Sequence, residues 1–70
     1  MSYKVHDYWK TIRAMADADM NVAEAARLLY MHRGTVVYRL KQIHKETGLD
    51  PYRFHDLVKL LEMCDKGVWV

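Results

Sequence analysis

The sequence predicts an all-α domain of four helices, and three observations carry that prediction. Apolar residues recur at the 3.6-residue helical period in separate windows, capping residues fall at the ends of those windows, and no segment alternates as a half-buried strand would. Seventy residues make one domain at most, read here as 1–70, and so short a chain buries only about 60% of the surface it exposes when unfolded. Its stability margin is thin.

The first helix carries Val5, Tyr8, Trp9, Ile12, Met15 and Ala16 on one stripe and ends near Ala18. Asn21 followed by Glu24 is an N-cap signature: the Asn oxygen accepts a free amide and the Glu carboxylate reaches back. A short second helix follows from Val22 to about Leu29, and its Ala23, Ala25 and Ala26 permit close approach of another helix. Tyr30, Met31 and His32 form a three-residue break. A third helix then runs from 33 to about 45, with Val36, Leu40 and Ile43 on its inner face and Gly48 as its stop. On a wheel of about 100° per residue, Gly34, Val37, Tyr38, Lys41 and Lys45 fall opposite that stripe, with Thr35 and Gln42 on the flank. Asp50 and Pro51 reopen the chain as a turn or helix start. Phe54, Leu57, Val58, Leu61 and Cys64 give a fourth amphipathic helix ending at Gly67.

Composition narrows the function classes. At 51% hydrophobic and 29% charged, with no low-complexity tract, the chain reads as an ordinary globular domain. Its longest apolar run, Leu28, Leu29, Tyr30 and Met31, is far short of the roughly 20 residues a membrane helix needs, so no membrane partner and a cytoplasmic location are expected. The single Cys64 excludes an internal disulfide, and the four His residues lack paired ligand spacing, so no metal and no cofactor are expected. No glycine-rich phosphate loop and no nucleophile with an oriented base is present, so the chain is read as a non-enzyme.

Charge is unevenly placed. The chain holds 11 basic and 9 acidic residues; five of the basic ones (Arg27, Arg33, Arg39, Lys41, Lys45) lie within 25–45, where there is no acid. The remainder therefore carries six basic against nine acidic groups. A one-sign block inside a folded helical region is a candidate footprint for phosphates.

Helices two and three, joined by a three-residue break, fit a helix-turn-helix core over about 21–46, in which one helix braces on the DNA backbone while the next enters the major groove. Ala26 where the helices meet, Leu29 and Met31 around the turn, and Val36 inside the third helix stand at the offsets that hold such a pair together. Residues 21–40, NVAEAARLLYMHRGTVVYRL, followed by TGLD at 47–50, resemble the C-terminal helix-turn-helix domain of PucR-type transcriptional regulators, and Arg33-Gly34-Thr35 resembles the recognition-helix start of the Fis-like group. The resemblance covers roughly 8–62. It implies a four-helix DNA-binding domain that normally follows a much larger sensory region, so that this chain would be a fragment. Two departures stand out: Tyr30 occupies a position where many helix-turn-helix proteins carry Gly, and Val37 one where Fis-like proteins tend to carry a cation, so that it would offer a methyl contact to thymine rather than a charge, which leaves the base preference open.

The expected DNA-binding residues are His32, Arg33, Gly34, Thr35, Val37, Tyr38, Lys41 and Lys45, with Arg27 from the second helix. Arg33 is electrostatically poor in a first helical turn and favourable beside guanine or phosphate. His32 reads either as the N-cap of the third helix or as a base or phosphate contact. Thr35 reads as a phosphate donor, and Tyr38 and Lys41 as backbone contacts. Asn21 is assigned to capping, and Arg39 to a structural ion pair with Glu24 or Glu46. Tyr8, Trp9, Met15 and the leucines of the last helix are assigned to the core. The apolar tail Val68, Trp69 and Val70 either folds back on the first helix or serves a dimer contact. The expected partners are double-stranded DNA and, in the parent protein, a second copy on a two-half-site operator. The rival reading is a helical protein-interaction module whose basic helix docks an acidic partner.

Overall fold

The computed structural model describes the backbone of residues 2–65 and the side chains of 8–64. Its elements are α1 (Ser2–Asp17), α2 (Val22–Leu29), α3 (Arg33–Thr47) and α4 (Phe54–Asp65), with no strand among the described residues. The four expected helices form where the periodicity placed them. The expected stop at Gly67, the tail Val68, Trp69 and Val70, and the side chain of Val5 lie outside what is described.

Helix α1 is the hub. It packs against each of the other three helices, α2 packs also against α3, and α4 touches α1 alone among the described helices. Ile12 and Met15 of α1 meet Ala25 and Ala26 of α2, Val36, Leu40 and Ile43 of α3, and Leu57, Leu60 and Cys64 of α4 in one core. Each large side chain fully withdrawn from water there contributes about 1.5–3 kcal/mol. Thr11 is also fully buried, and no buried side-chain polar atom among the described residues lacks a partner.

The loops close by backbone chemistry. Asp19 (φ 53°) and Met20 (φ 67°) turn the chain left-handed after α1, and the Met20 amide donates to the Met15 carbonyl at 2.7 Å. The Asn21 side chain then accepts the Glu24 amide at 3.1 Å, the expected cap, which stabilises α2 by about 1 kcal/mol. Gly48 (φ 76°) ends α3 as expected, its amide donating to the His44 carbonyl. Thr47 reinforces that end: its hydroxyl donates to the Ile43 carbonyl at 2.7 Å and accepts the Leu49 amide at 3.1 Å. Asp50 and Pro51 open a turn rather than a helix. Asp50 Oδ1 accepts the Tyr52 amide, Asp56 Oδ2 accepts the Asp50 amide at 3.0 Å, and Pro51 is buried.

Three core assignments are corrected. Trp9 is 42% exposed, because its neighbour Tyr8 takes the inward position and donates its hydroxyl to Glu46 Oε2 at 2.6 Å, tying α1 to the end of α3. Trp9, about 100° further round the helix, is left at the rim. On α4 the buried stripe is Leu57, Leu60 and Cys64, while Phe54 is 65% exposed and Val58 is exposed. A helix with one neighbour needs only a narrow seam, and Phe54 and Val58 fall beside it, on a groove of about 160 Å³ closed by Ala16 and Met20.

Candidate nucleic-acid interface

The α2–α3 corner positions the candidate site. Tyr30 adopts the left-handed conformation (φ 56°, ψ 43°) after α2, its amide bonds the Arg27 carbonyl, and the Met31 amide bonds the Ala26 carbonyl at 3.0 Å. This paired closure reverses the chain in three residues. A glycine would adopt it without steric cost, whereas Tyr30 does so with a side chain that is 96% exposed and returns little packing. Leu29 and Met31 pack on the core from either side of the turn, and Ala26 and Val36 are buried between the helices. The apolar anchors sit as the sequence placed them.

His32 occupies the N-cap position of α3 in extended conformation (φ −68°, ψ 144°), but its ring makes no capping bond. Its backbone carbonyl does the work instead, accepting the amides of Thr35 at 3.0 Å and Val36 at 3.3 Å. The imidazole is exposed and uncommitted to the helix, so only the positional half of the capping expectation holds.

Along α3 the inner face is Val36, Leu40 and Ile43, and the outer face is open. Arg33, Gly34, Thr35, Tyr38, Lys41 and Lys45 are all exposed, with Tyr38 at 62%, and Val37 is half-buried at the edge. No other described helix covers this face, and α4 packs against α1 rather than α3. Eight of the nine expected site residues, His32 through Lys45, therefore share α3 or the residue before it.

The five cations of the basic block divide into three groups. Arg33, Lys41 and Lys45 make no ion pair among the described residues and project into solvent. Arg27 is held otherwise: Nε donates to Glu24 Oε1 at 3.0 Å and a terminal nitrogen closes on Glu24 Oε2, a two-pronged clamp on the surface of α2. These bonds, and the attraction between the charges, hold the Glu24 carboxyl below the usual glutamate range and raise the Arg27 guanidinium further. Glu24 thus faces Arg27 and leaves the reciprocal half of the capping box unmade; the i,i+3 spacing of the two was the signal that could have revealed the clamp. Arg39 is half-buried and directs Nη1 to the Met31 sulfur at 3.4 Å.

Among the described residues no group of His, Cys, Asp or Glu is placed to hold a metal ion, and no helix is long and apolar enough to cross a membrane. What the surface offers is a convex cationic rod, a shape for lying in a groove of another molecule.

The family described as the PucR C-terminal helix-turn-helix domain matches residues 8–64. No curated protein and no solved structure matches the chain.

Proposed function

The chain belongs to the family of PucR C-terminal helix-turn-helix domains, a DNA-binding type used in transcription regulation, and from that premise we propose that it reads duplex DNA by laying α3 in the major groove. The observation that carries the proposal is the row of unpaired, exposed cations Arg33, Lys41 and Lys45 on a face that no other helix covers. In this reading Arg33 and His32 meet base edges or phosphate at the start of the helix, and Thr35, Tyr38, Lys41 and Lys45 contact the sugar-phosphate backbone. Val37 offers methyl groups at the groove edge. Arg27 joins only as far as Glu24 releases it. The helix-turn-helix core spans about 21–46 of a single domain, 1–70, that works by binding rather than by catalysis, in the cytoplasm.

In the full-length protein we place this domain after a larger sensory region and in a homodimer, whose two copies of α3 would meet successive major grooves about 34–36 Å apart. A single copy binds weakly and with steep salt dependence, each neutralised phosphate contributing roughly 0.9 to the logarithmic slope.

The test uses fluorescence anisotropy with a labelled 24-base-pair duplex enriched by the wild-type chain from a random pool, at two salt concentrations. Arg33→Ala should cost about 1–3 kcal/mol in binding, and Lys41→Ala should reduce the salt slope by about 1. If neither substitution changes binding while the melting temperature holds, α3 is not the DNA face. Enrichment of no duplex, together with capture of an acidic protein through the same residues, would favour the interaction-module reading instead.

A further inference from the structure

Gly34 is the residue of α3 that the fold itself does not explain. It lies in the first turn of a 15-residue helix with ordinary right-handed backbone; of the described glycines only Gly48 has a positive φ. A Cβ built at Gly34 would meet nothing within 4 Å, so no neighbouring helix needs its absence. Glycine nevertheless weakens a helix relative to alanine, because it has more backbone freedom to lose. The chain thus accepts a less stable α3 for no intramolecular return.

The surroundings indicate where the return is made. Gly34, Tyr38, Lys41 and Lys45 follow each other at spacings of four, three and four residues, one continuous exposed stripe along α3. The stripe is bare backbone at Gly34 and carries an exposed phenol one turn later. Such a profile lets a partner approach closest at the N-terminal turn and holds it further out at Tyr38, so that the helix enters a groove tilted, N-terminus first.

We propose that Gly34 is a positioning and specificity-determining residue: the absence of its side chain sets how deeply α3 seats in the DNA major groove, and so which base edges Arg33 and His32 reach. This rests on the reading of α3 as the DNA face. The long side chains of Lys41 and Lys45 follow a displaced backbone and keep their phosphates, whereas contacts at the first turn have no such slack.

The experiment compares Gly34→Ala and Gly34→Leu with Arg33→Ala and Lys41→Ala in the 70-residue chain, using the duplex enriched by the wild type and a random-sequence duplex of equal length, with helicity checked by circular dichroism. Both glycine substitutions should raise the melting temperature, Gly34→Ala by about 2–6 °C. Both should weaken binding to the enriched duplex, by about tenfold for Ala and about a hundredfold for Leu, with little change on the random duplex or in salt slope. Opposite movement of stability and affinity is what a merely structural glycine would not give. Affinity unchanged at Gly34 while Arg33→Ala and Lys41→Ala weaken binding overturns this inference and leaves the DNA face standing. A lower melting temperature for Gly34→Ala also overturns it, by revealing a role within the fold. If none of the four substitutions changes binding, the α3 face itself is wrong and the inference falls with it.

Discussion

Tyr30 and Gly34, four residues apart, each occupy a conformation that the other residue type would hold more easily. Tyr30 is left-handed, where a Cβ costs roughly 1 kcal/mol or more, and its ring is almost wholly in solvent. Tyr30→Gly should therefore stabilise the domain by about 0.5–1 kcal/mol, partly offset by the larger unfolded-state freedom of glycine, and raise the melting temperature by a few degrees. A fall in melting temperature would show that the exposed ring makes a contact worth more than the strain. Glu24 poses the second question at this scale, because its carboxylate competes with phosphate for Arg27. In Glu24→Gln the cap survives, since Asn21 accepts a backbone amide, but the clamp loses its charge. DNA affinity should rise and the salt slope steepen by about 0.9, the contribution of one added phosphate contact; an unchanged slope would mean that Arg27 stays off the DNA. By nuclear magnetic resonance the wild-type Glu24 carboxyl should titrate below the usual glutamate range and return to it in Arg27→Ala. Since its folded pKa is depressed, whatever the clamp adds to stability is present above the ordinary range and lost as pH falls through the folded value.

At the scale of elements, α3 is fastened at both ends and along one face, while α4 hangs from α1. The start of α3 is fixed by the Tyr30 closure and the His32 carbonyl, and its end by Gly48 and the Thr47 hydroxyl. Tyr8 adds a long-range bond from α1 to Glu46. Precise placement of α3 is what a groove-reading helix requires, because contacts to base edges tolerate little displacement. The narrow seam of α4 makes a separate prediction: Leu60→Ala should destabilise by about 2–5 kcal/mol and Phe54→Ala by less than about 1 kcal/mol, read from urea denaturation midpoints. A larger loss for Phe54→Ala than for Leu60→Ala would mean that α4 is rotated so that Phe54 and Val58 face α1.

At the scale of the whole molecule, the architecture separates the apolar core from the cationic face. The apolar side chains converge on α1, so the core lies behind α3, and the open cations lie in front of it. With a net charge of only +2, the chain still gathers five cations and no acid within 25–45, and three of those cations are exposed on α3. The domain can lose charge on the α3 face without losing its core, which is why binding and melting are separable measurements here. So small a core leaves little reserve, and the stability withheld at Tyr30 and Gly34 is a sizeable share of the few kcal/mol expected of such a domain.

The sequence by itself determined the helices and the corner between α2 and α3. Asn21, Ala26, Leu29, Met31, Val36 and Gly48 act through local backbone geometry and short-range packing, and such rules are written in spacing alone. The open face of α3 was legible for the same reason, since a helical wheel divides inside from outside wherever one stripe is strongly apolar. Only the tertiary structure decided which member of an apolar pair turns inward, Tyr8 over Trp9 and Leu60 over Val58, because that depends on how many neighbours each helix has. It also decided which cations stay free: the partner of an arginine is fixed by distance in space, and Glu24 is close enough to Arg27 to hold it while nothing among the described residues restrains Arg33, Lys41 or Lys45.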